Sequence, residues 1–397
     1  MPSPATDPHS PPSPVAAPLP RRREAFAIAS LALTAFALNL NTSVLGALLP
    51  FLPEDLAARK TSLLAAAAAG SAVGALWVLG LSLRFGRRQV LLAGLAVFVL
   101  ASTAHLFATG WVALLVVRAL SGIAVGVAYA SASALVAAIV PYERRGAAMG
   151  MFTAGMFLAI PIGMPLSVLL ARAGLWQWVF AAQAVIAGVG LLLALRSVPA
   201  SQAREPRGSF VAVLRNAPAL AALAATMLHV GSFFTTVQLA TTWLDRTGRV
   251  PRDQQMWLWV GLGVASVLGS AGLGRVSDRV GKRNFVLVTS AILAACFVLL
   301  AREPESMVLL GCGAVLALVA AARTGPLQAL ASGAVPQDQL STVMALRAGS
   351  MQVGVVGFAA AAGPVVDQFG FRGVLLLGAV CQVASYLVIR WFGREGR

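Results

Sequence analysis

Three arginines, Arg118, Arg323 and Arg347, stand inside long apolar runs of this 397-residue chain. A guanidinium at the centre of a bilayer costs about 2.5–3.5 kcal/mol on insertion scales, so such a residue is a functional candidate by default. Its planar fork suits a carboxylate or another oxyanion, gripped by two parallel hydrogen bonds. Arg323 lies 13 residues before Pro336, about 20 Å from the nearer end of its run at 1.5 Å per residue. Thr324-Gly325-Pro326 follows it, and proline removes a backbone donor, which predicts a kink there. Arg118 is shallower, about 10 Å from an end, and Tyr129 shares nearly the same helical face. Arg347 is near an end and is expected to snorkel to water. His229 is the other mid-run residue that titrates near neutral pH, which makes it a candidate proton carrier. No Asp or Glu falls in the middle of any run. Arginines without carboxylates favour an anionic or neutral polar ligand over a cation.

The elements that must position these residues follow from composition. The chain is 58% hydrophobic and 11% charged, against roughly 25% charged in a soluble domain. Apolar runs of about 20 residues recur, the length that crosses a ~30 Å hydrocarbon core. They do not alternate as barrel strands would. The fold class is an all-α polytopic membrane protein with twelve transmembrane helices. The spans are expected at 25–49, 61–83, 89–109, 111–140, 146–171, 175–196, 217–244, 254–276, 284–301, 306–335, 340–366 and 371–392. Residues 1–20 hold eight prolines, read as a disordered cytoplasmic tail and not as a signal peptide. With the N-terminus inside, 19 of the 30 Lys and Arg residues fall on cytoplasmic segments, eight on outer segments and three within spans. That bias places both termini in the cytoplasm and the spans in the plasma membrane. The net charge of +16 is spread over short clusters between spans, so no nucleic-acid partner is expected. Cys296, Cys312 and Cys381 lie within spans and read as small hydrophobes, with no metal or cofactor pattern. Trp77, Phe152, Phe157, Trp257 and Trp259 read as packing residues or interface anchors.

The chain repeats itself at an offset of 195 residues. Gly274-Arg275-Val276-Ser277-Asp278-Arg279-Val280-Gly281-Lys282-Arg283 reads as a basic loop, and Leu79-Gly80-Leu81-Ser82-Leu83-Arg84-Phe85-Gly86-Arg87-Arg88 is its worn copy. Pro141 matches Pro336, and Gln177 matches Arg372. This spacing predicts a duplicated six-span unit: 21–196 and 217–397 as two bundles, joined by a cytoplasmic linker at 197–216. Parallel repeats of this kind build transporters with the substrate site between the halves.

These residues resemble the major facilitator superfamily over about 25–392. The loop pattern after spans two and eight is complete in Gly274, Asp278, Arg279, Gly281, Lys282 and Arg283. The first copy keeps Arg84, Gly86, Arg87 and Arg88 but has Leu79 and Leu83 in place of the glycine and aspartate. Arg118, Gly122 and Gly126 match the span-four pattern, and 155–166 looks like the glycine-proline pattern of the sugar- and drug-efflux branch. The resemblance implies alternating access by two rocking bundles, with the basic loops as a conformational latch. Asp278 would cap a neighbouring helix N-terminus, held by the adjacent arginines. Spans one, four, seven and ten would line the cavity, which gives Asn39, Asn41, His229, Gln238 and Tyr129 beside Arg118 and Arg323 as substrate-binding candidates. The implied activity is secondary export of a small organic solute, driven by a proton or counter-solute gradient, by a protein that is not an enzyme and works as a monomer. No phosphate-binding loop for ATP is present. Proton-coupled multidrug efflux, organic-anion uptake and a non-transporting sensor or scaffold are the alternatives.

Overall fold

A computed structural model describes residues 20–48, 60–108, 110–199 and 210–395. The Pro-rich tail, apart from Pro20, and the middle of the linker lie outside the described residues. Among the described residues all regular structure is helical. The long helices are α1 (Arg21–Leu48), α2 (Lys60–Phe85), α3 (Arg87–Ala104), α4 (Trp111–Ile139), α5 (Arg145–Leu158), α6 (Met164–Arg172) and α7 (Trp178–Ser197) in the first half. A short α8 (Phe210–Arg215) occupies the end of the linker. The second half has α9 (Ala217–Thr247), α10 (Arg252–Val280), α11 (Lys282–Leu300), α12 (Ser306–Gly333) and α13 (Leu340–Phe392). An apolar backbone in lipid must satisfy its own donors and acceptors, and a helix does so within one segment.

Two places depart from a plain succession of straight helices. The fifth span is α5 and α6 joined by a π turn at Ala159–Gly163, where Pro161 lacks the donor the α pattern needs. The eleventh and twelfth are both in α13, whose 53 residues would run about 80 Å if straight. Gly370 breaks it with φ 64° and ψ −165°, a region that favours glycine. The chain then turns back. Gly354 lies against Gly231, while Gln382 bonds the adjacent Ser232, although 354 and 382 would stand about 42 Å apart on a straight helix. At Pro326 α12 continues as one helix, so the proline does not end the span.

The 195-residue repeat is written in the backbone. Gly86 and Gly281 both take positive φ, 76° and 89°. The 3₁₀ turns Tyr142–Arg144 and Gln337–Gln339 also match at this offset. The segments 79–85 and 274–280 are helical, however: the basic stretches are the last turns of α2 and α10, and a single glycine makes each turn. These turns are helical although polar, because a helix that leaves the hydrocarbon core no longer needs an apolar face.

Two six-helix bundles result. Within the first, spans two and four approach so closely that a Cβ on Gly126 would clash with the Ser71 carbonyl. Small residues replace hydrophobic driving force in this way where lipid is the solvent. Between the bundles, span five packs on spans eight and ten, and span eleven packs on spans two and four. The pairs exchange under the repeat, so the interface has approximate twofold symmetry.

Candidate functional site

A cavity of about 620 Å³ lies between the bundles, within the usual range of small-molecule sites. Thr42 and Ser43 of span one and Ile160 and Met164 of span five form one wall. The π turn at Ala159–Gly163 carries Ile160 into that wall. The second half supplies the rest, notably Phe233, Phe234, Thr236, Gln238, Trp243, Trp259, Ser266, Phe297 and Phe371. None of the described lining residues is charged. Trp243, Leu309 and Phe371 stand close to the ends of their helices, so the cavity reaches the end of the molecule opposite the basic turns.

The two deepest arginines lie inside their own bundles. Arg118 is 1% exposed and donates to Asn41 Oδ1 and the Asn41 carbonyl at 3.0 and 3.1 Å. Gln183 Nε2 lies 3.5 Å from the same Oδ1 and donates to Ser102 Oγ at 2.8 Å. Arg323 is fully buried and donates to Gln382 Oε1 at 2.5 Å and Ser385 Oγ at 2.6 Å. Gln382 in turn donates to Ser232 Oγ at 2.8 Å. Each half therefore ties its fourth span, through an arginine, to its first and sixth spans. Neither guanidinium lines the cavity in this conformation.

The remaining candidates divide. Gln238 lines the cavity. His229 lies one turn below the wall, stacked on Phe233 with centroids 6.2 Å apart. Its Nε2 is 3.1 Å from the Ala320 carbonyl, which can only accept, so Nε2 carries the proton. Asn39 donates to the Met156 carbonyl at 2.8 Å, which joins spans one and five. Tyr129 packs on Phe152 (5.4 Å) and faces Arg347 across the bundle interface. Arg347 does not snorkel: it is 1% exposed. Trp77 and Trp257 face outward, Phe152 and Phe157 are core, and Trp259 lines the cavity. Reading the sequence missed Ser266, Trp243, Phe234 and Phe371. Aromatic residues near span ends look like interface anchors, and nothing local marks these as facing inward.

At the basic end the bundles are sealed. Asp278 accepts from the backbone N–H groups of Gly146 and Ala147 at 2.9 and 2.8 Å, and so caps α5 of the opposite bundle. Its ion-pair partner is Lys282 at 3.0 Å, where the adjacent arginines were expected. Arg279 and Arg84 are exposed. Gly274 lets α10 approach so closely that a Cβ there would sit 2.7 Å from the Gly146 carbonyl. Lys282 also lies over the Tyr142 ring, 4.4 Å from its centroid. In the first copy, which lacks the aspartate, Arg87 crosses the interface instead and donates to Ser341 Oγ (3.0 Å) and the Gln337 carbonyl (2.5 Å). Arg88 and Arg283 make the same contact in each half: they donate to the Leu195 and Arg390 carbonyls, again 195 residues apart. Deeper in, Ser270 bonds Thr153 Oγ1 at 2.5 Å and the Gly150 carbonyl at 2.8 Å. A Cβ on Gly325 would lie 2.6 Å from Gly150 N.

The Major Facilitator Superfamily family model matches residues 31–249 and 239–397. A "Probable sugar efflux transporter" of Mannheimia succiniciproducens is 25% identical over 318 residues, covering 78% of this chain and 77% of that protein. The "Inner membrane transport protein YdhP" of Escherichia coli K12 is 26% identical, covering 84% and 86%. In three dimensions the chain resembles the human organic anion transporter MFSD10 (TM-score 0.73, 18% identity, covering 94% and 100%). It also resembles the proton:xylose symporter XylE (TM-score 0.74, 15% identity, covering 94% and 97%). At these identities the structures speak for the fold.

Proposed function

The chain belongs to the Major Facilitator Superfamily and is a multi-pass membrane transporter, not an enzyme; from that premise we propose that it exports a small polar organic solute by alternating access. The basic end faces the cytoplasm, with both termini on that side and the protein in the plasma membrane. The conformation described is then open outward and closed inward. The observation that carries this reading is the cavity itself: aromatic walls, hydroxyls from Thr42, Ser43, Thr236 and Ser266, the Gln238 amide and no charge. Apolar and aromatic surfaces with a few placed polar groups are how a pocket holds and orients a small solute. An uncharged lining supports a sugar-like solute over a cationic drug. Relatives named as sugar efflux transporters support the same direction.

Asp278 and Lys282 in one half and Arg87 in the other act as the closed-state latch. The bonds of Asp278 and Arg87 cross the bundle interface, while Lys282 holds the Asp278 carboxylate from its own bundle, so rocking the basic end open must break the crossing bonds together. Arg118 and Arg323 keep each bundle rigid while it rocks. A proton or counter-solute gradient supplies the energy. Purified protein in liposomes tests this by counterflow of radiolabelled xylose, glucose and tetraphenylphosphonium, with and without a pH gradient. Sugar counterflow that the gradient accelerates is the expected result. Counterflow of the cation alone would replace the reading with multidrug export.

A further inference from the structure

Arg347 is a buried cation with no counter-charge. It is 1% exposed, and its Nε and Nη2 have no hydrogen-bond partner. Nη1 rests 3.6 Å from the Met351 sulfur, a weak acceptor. The ion pairs found among the described residues do not include it. The Tyr129 hydroxyl approaches the guanidinium from the opposite bundle closely enough to interact with it, without a well-formed hydrogen bond. Gln328, fully buried, has neither its amide oxygen nor its nitrogen partnered. Counted from the basic ends of their helices, Gln328, Arg347 and Phe152 lie about 8–10 Å deep and Tyr129 about 15 Å. These residues stand on spans ten, eleven, five and four, the spans whose packing seals the basic end.

Buried polar groups in native proteins are hydrogen-bonded, and an unpaired buried charge is costly enough to need a reason. Here the unpartnered atoms form a pattern. Nε–H and Nη2–H lie along one edge of the guanidinium, the edge that takes a carboxylate side-on with two parallel bonds. In the closed conformation the guanidinium is buried beside Tyr129 of the opposite bundle. Opening the basic end separates spans four and five from ten and eleven, which turns the same edge and the Gln328 amide toward cytoplasmic water.

We propose that Arg347, with Gln328 and Tyr129, forms the cytoplasmic-side loading site for the anionic group of the exported solute, a carboxylate or similar monoanion. This deepens the export reading and rests on it. It also supplies an asymmetry. The solute meets a cation when loaded from the cytoplasm and an uncharged cavity when exposed to the outside, so it is held on entry and released on exit. Arg118 and Arg323 cannot take this part in the conformation described, because their Nη groups are already committed within their bundles.

The test uses a matched pair, radiolabelled glucuronate and glucuronamide, in counterflow with the full-length protein in liposomes. Wild type should move glucuronate roughly ten- to hundredfold faster, the effect of one charge-assisted bidentate contact. Arg347→Gln should bring glucuronate counterflow down to the glucuronamide rate, and Arg347→Lys should keep part of the preference. Thermal melting of detergent-solubilised protein separates a structural role. Removing an unpaired buried charge should leave the melting temperature at or above that of wild type, whereas a clear drop would make Arg347 a structural prop and overturn the proposal. Faster movement of glucuronamide by wild type, or a preference unchanged in Arg347→Gln, would overturn it while transport stands. Movement of neither solute by protein that shows the sugar counterflow above would overturn the loading site while export stands, and loss of that counterflow as well counts against the export reading.

Discussion

Replacing Asp278 by Asn should unlatch the basic end. The carboxylate, 13% exposed, accepts two backbone bonds across the interface at 2.9 and 2.8 Å and pairs with Lys282 at 3.0 Å. Asparagine keeps one acceptor and turns an NH₂ group against the other amide. One bond to a charged group is lost, about 1.5–3 kcal/mol, and the second drops to neutral strength, about 1 kcal/mol less. These bonds require the two bundles to be in contact at this end, so the change of about 3 kcal/mol falls on the closed state alone. That shifts the inward-to-outward ratio about 150-fold. Single cysteines report it in a background with Cys296, Cys312 and Cys381 replaced by alanine. Ala345→Cys, fully buried in the sealed interface, should gain maleimide reactivity by about two orders of magnitude if the outward state dominates in wild type. Thr236→Cys in the outer cavity should lose about a third to a half of its rate, because the same shift leaves the two states comparably populated. Unchanged rates at both positions would refute the latch and leave Asp278 as part of a topology anchor.

Gly325→Ala places a methyl against the Gly150 backbone, which cannot yield as a side chain would. It should raise the closed state by about 1–3 kcal/mol and reproduce the Asp278→Asn labelling pattern, and wild-type labelling would contradict the close approach. Gln238→Ala removes one lining amide. A two- to tenfold rise in KM with kcat little changed is expected for one neutral hydrogen bond of about 0.5–1.5 kcal/mol, and an unaltered KM would take Gln238 out of the site. Asn41→Ala strips the acceptor from Arg118 Nη1. It should cost about 1–3 kcal/mol of stability, seen as a lower melting temperature at unchanged KM, and the reverse pattern would move Arg118 into the binding site.

The spans were legible because hydrocarbon thickness sets their length, and the repeat because Gly86 and Gly281 do the same backbone work. The cap by Asp278 follows from a carboxylate at a helix end meeting the positive end of another, although its partner Lys282 took the place of the arginines. Side-chain direction was the harder problem. Residues along a helix differ by 100° each, so depth in the membrane says that Arg323 is buried without saying toward what. Its partners Gln382 and Ser385 lie 59 and 62 residues away, and no local pattern links them. The same limit applied to Arg347, whose nearness to a helix end suggested snorkelling. The packing of span eleven against spans two and four closes that route. The break in α13 could be placed because Gly370 lies between two apolar runs. The π turn in span five had its proline as a signal, but its effect on Ile160 depends on which wall it faces.

Alternating access is the centre of this account, and paired spin labels test it most directly. One pair, Phe85→Cys with Val280→Cys, spans the bundles at the basic end. The other, Phe107→Cys with Met307→Cys, spans them at the opposite end. All four side chains are exposed. Measured in one lipid and in the Cys-free background, with Asp278→Asn as the perturbation, the first distance should lengthen while the second shortens. Two distances that stay fixed, or that change in the same direction, would contradict it.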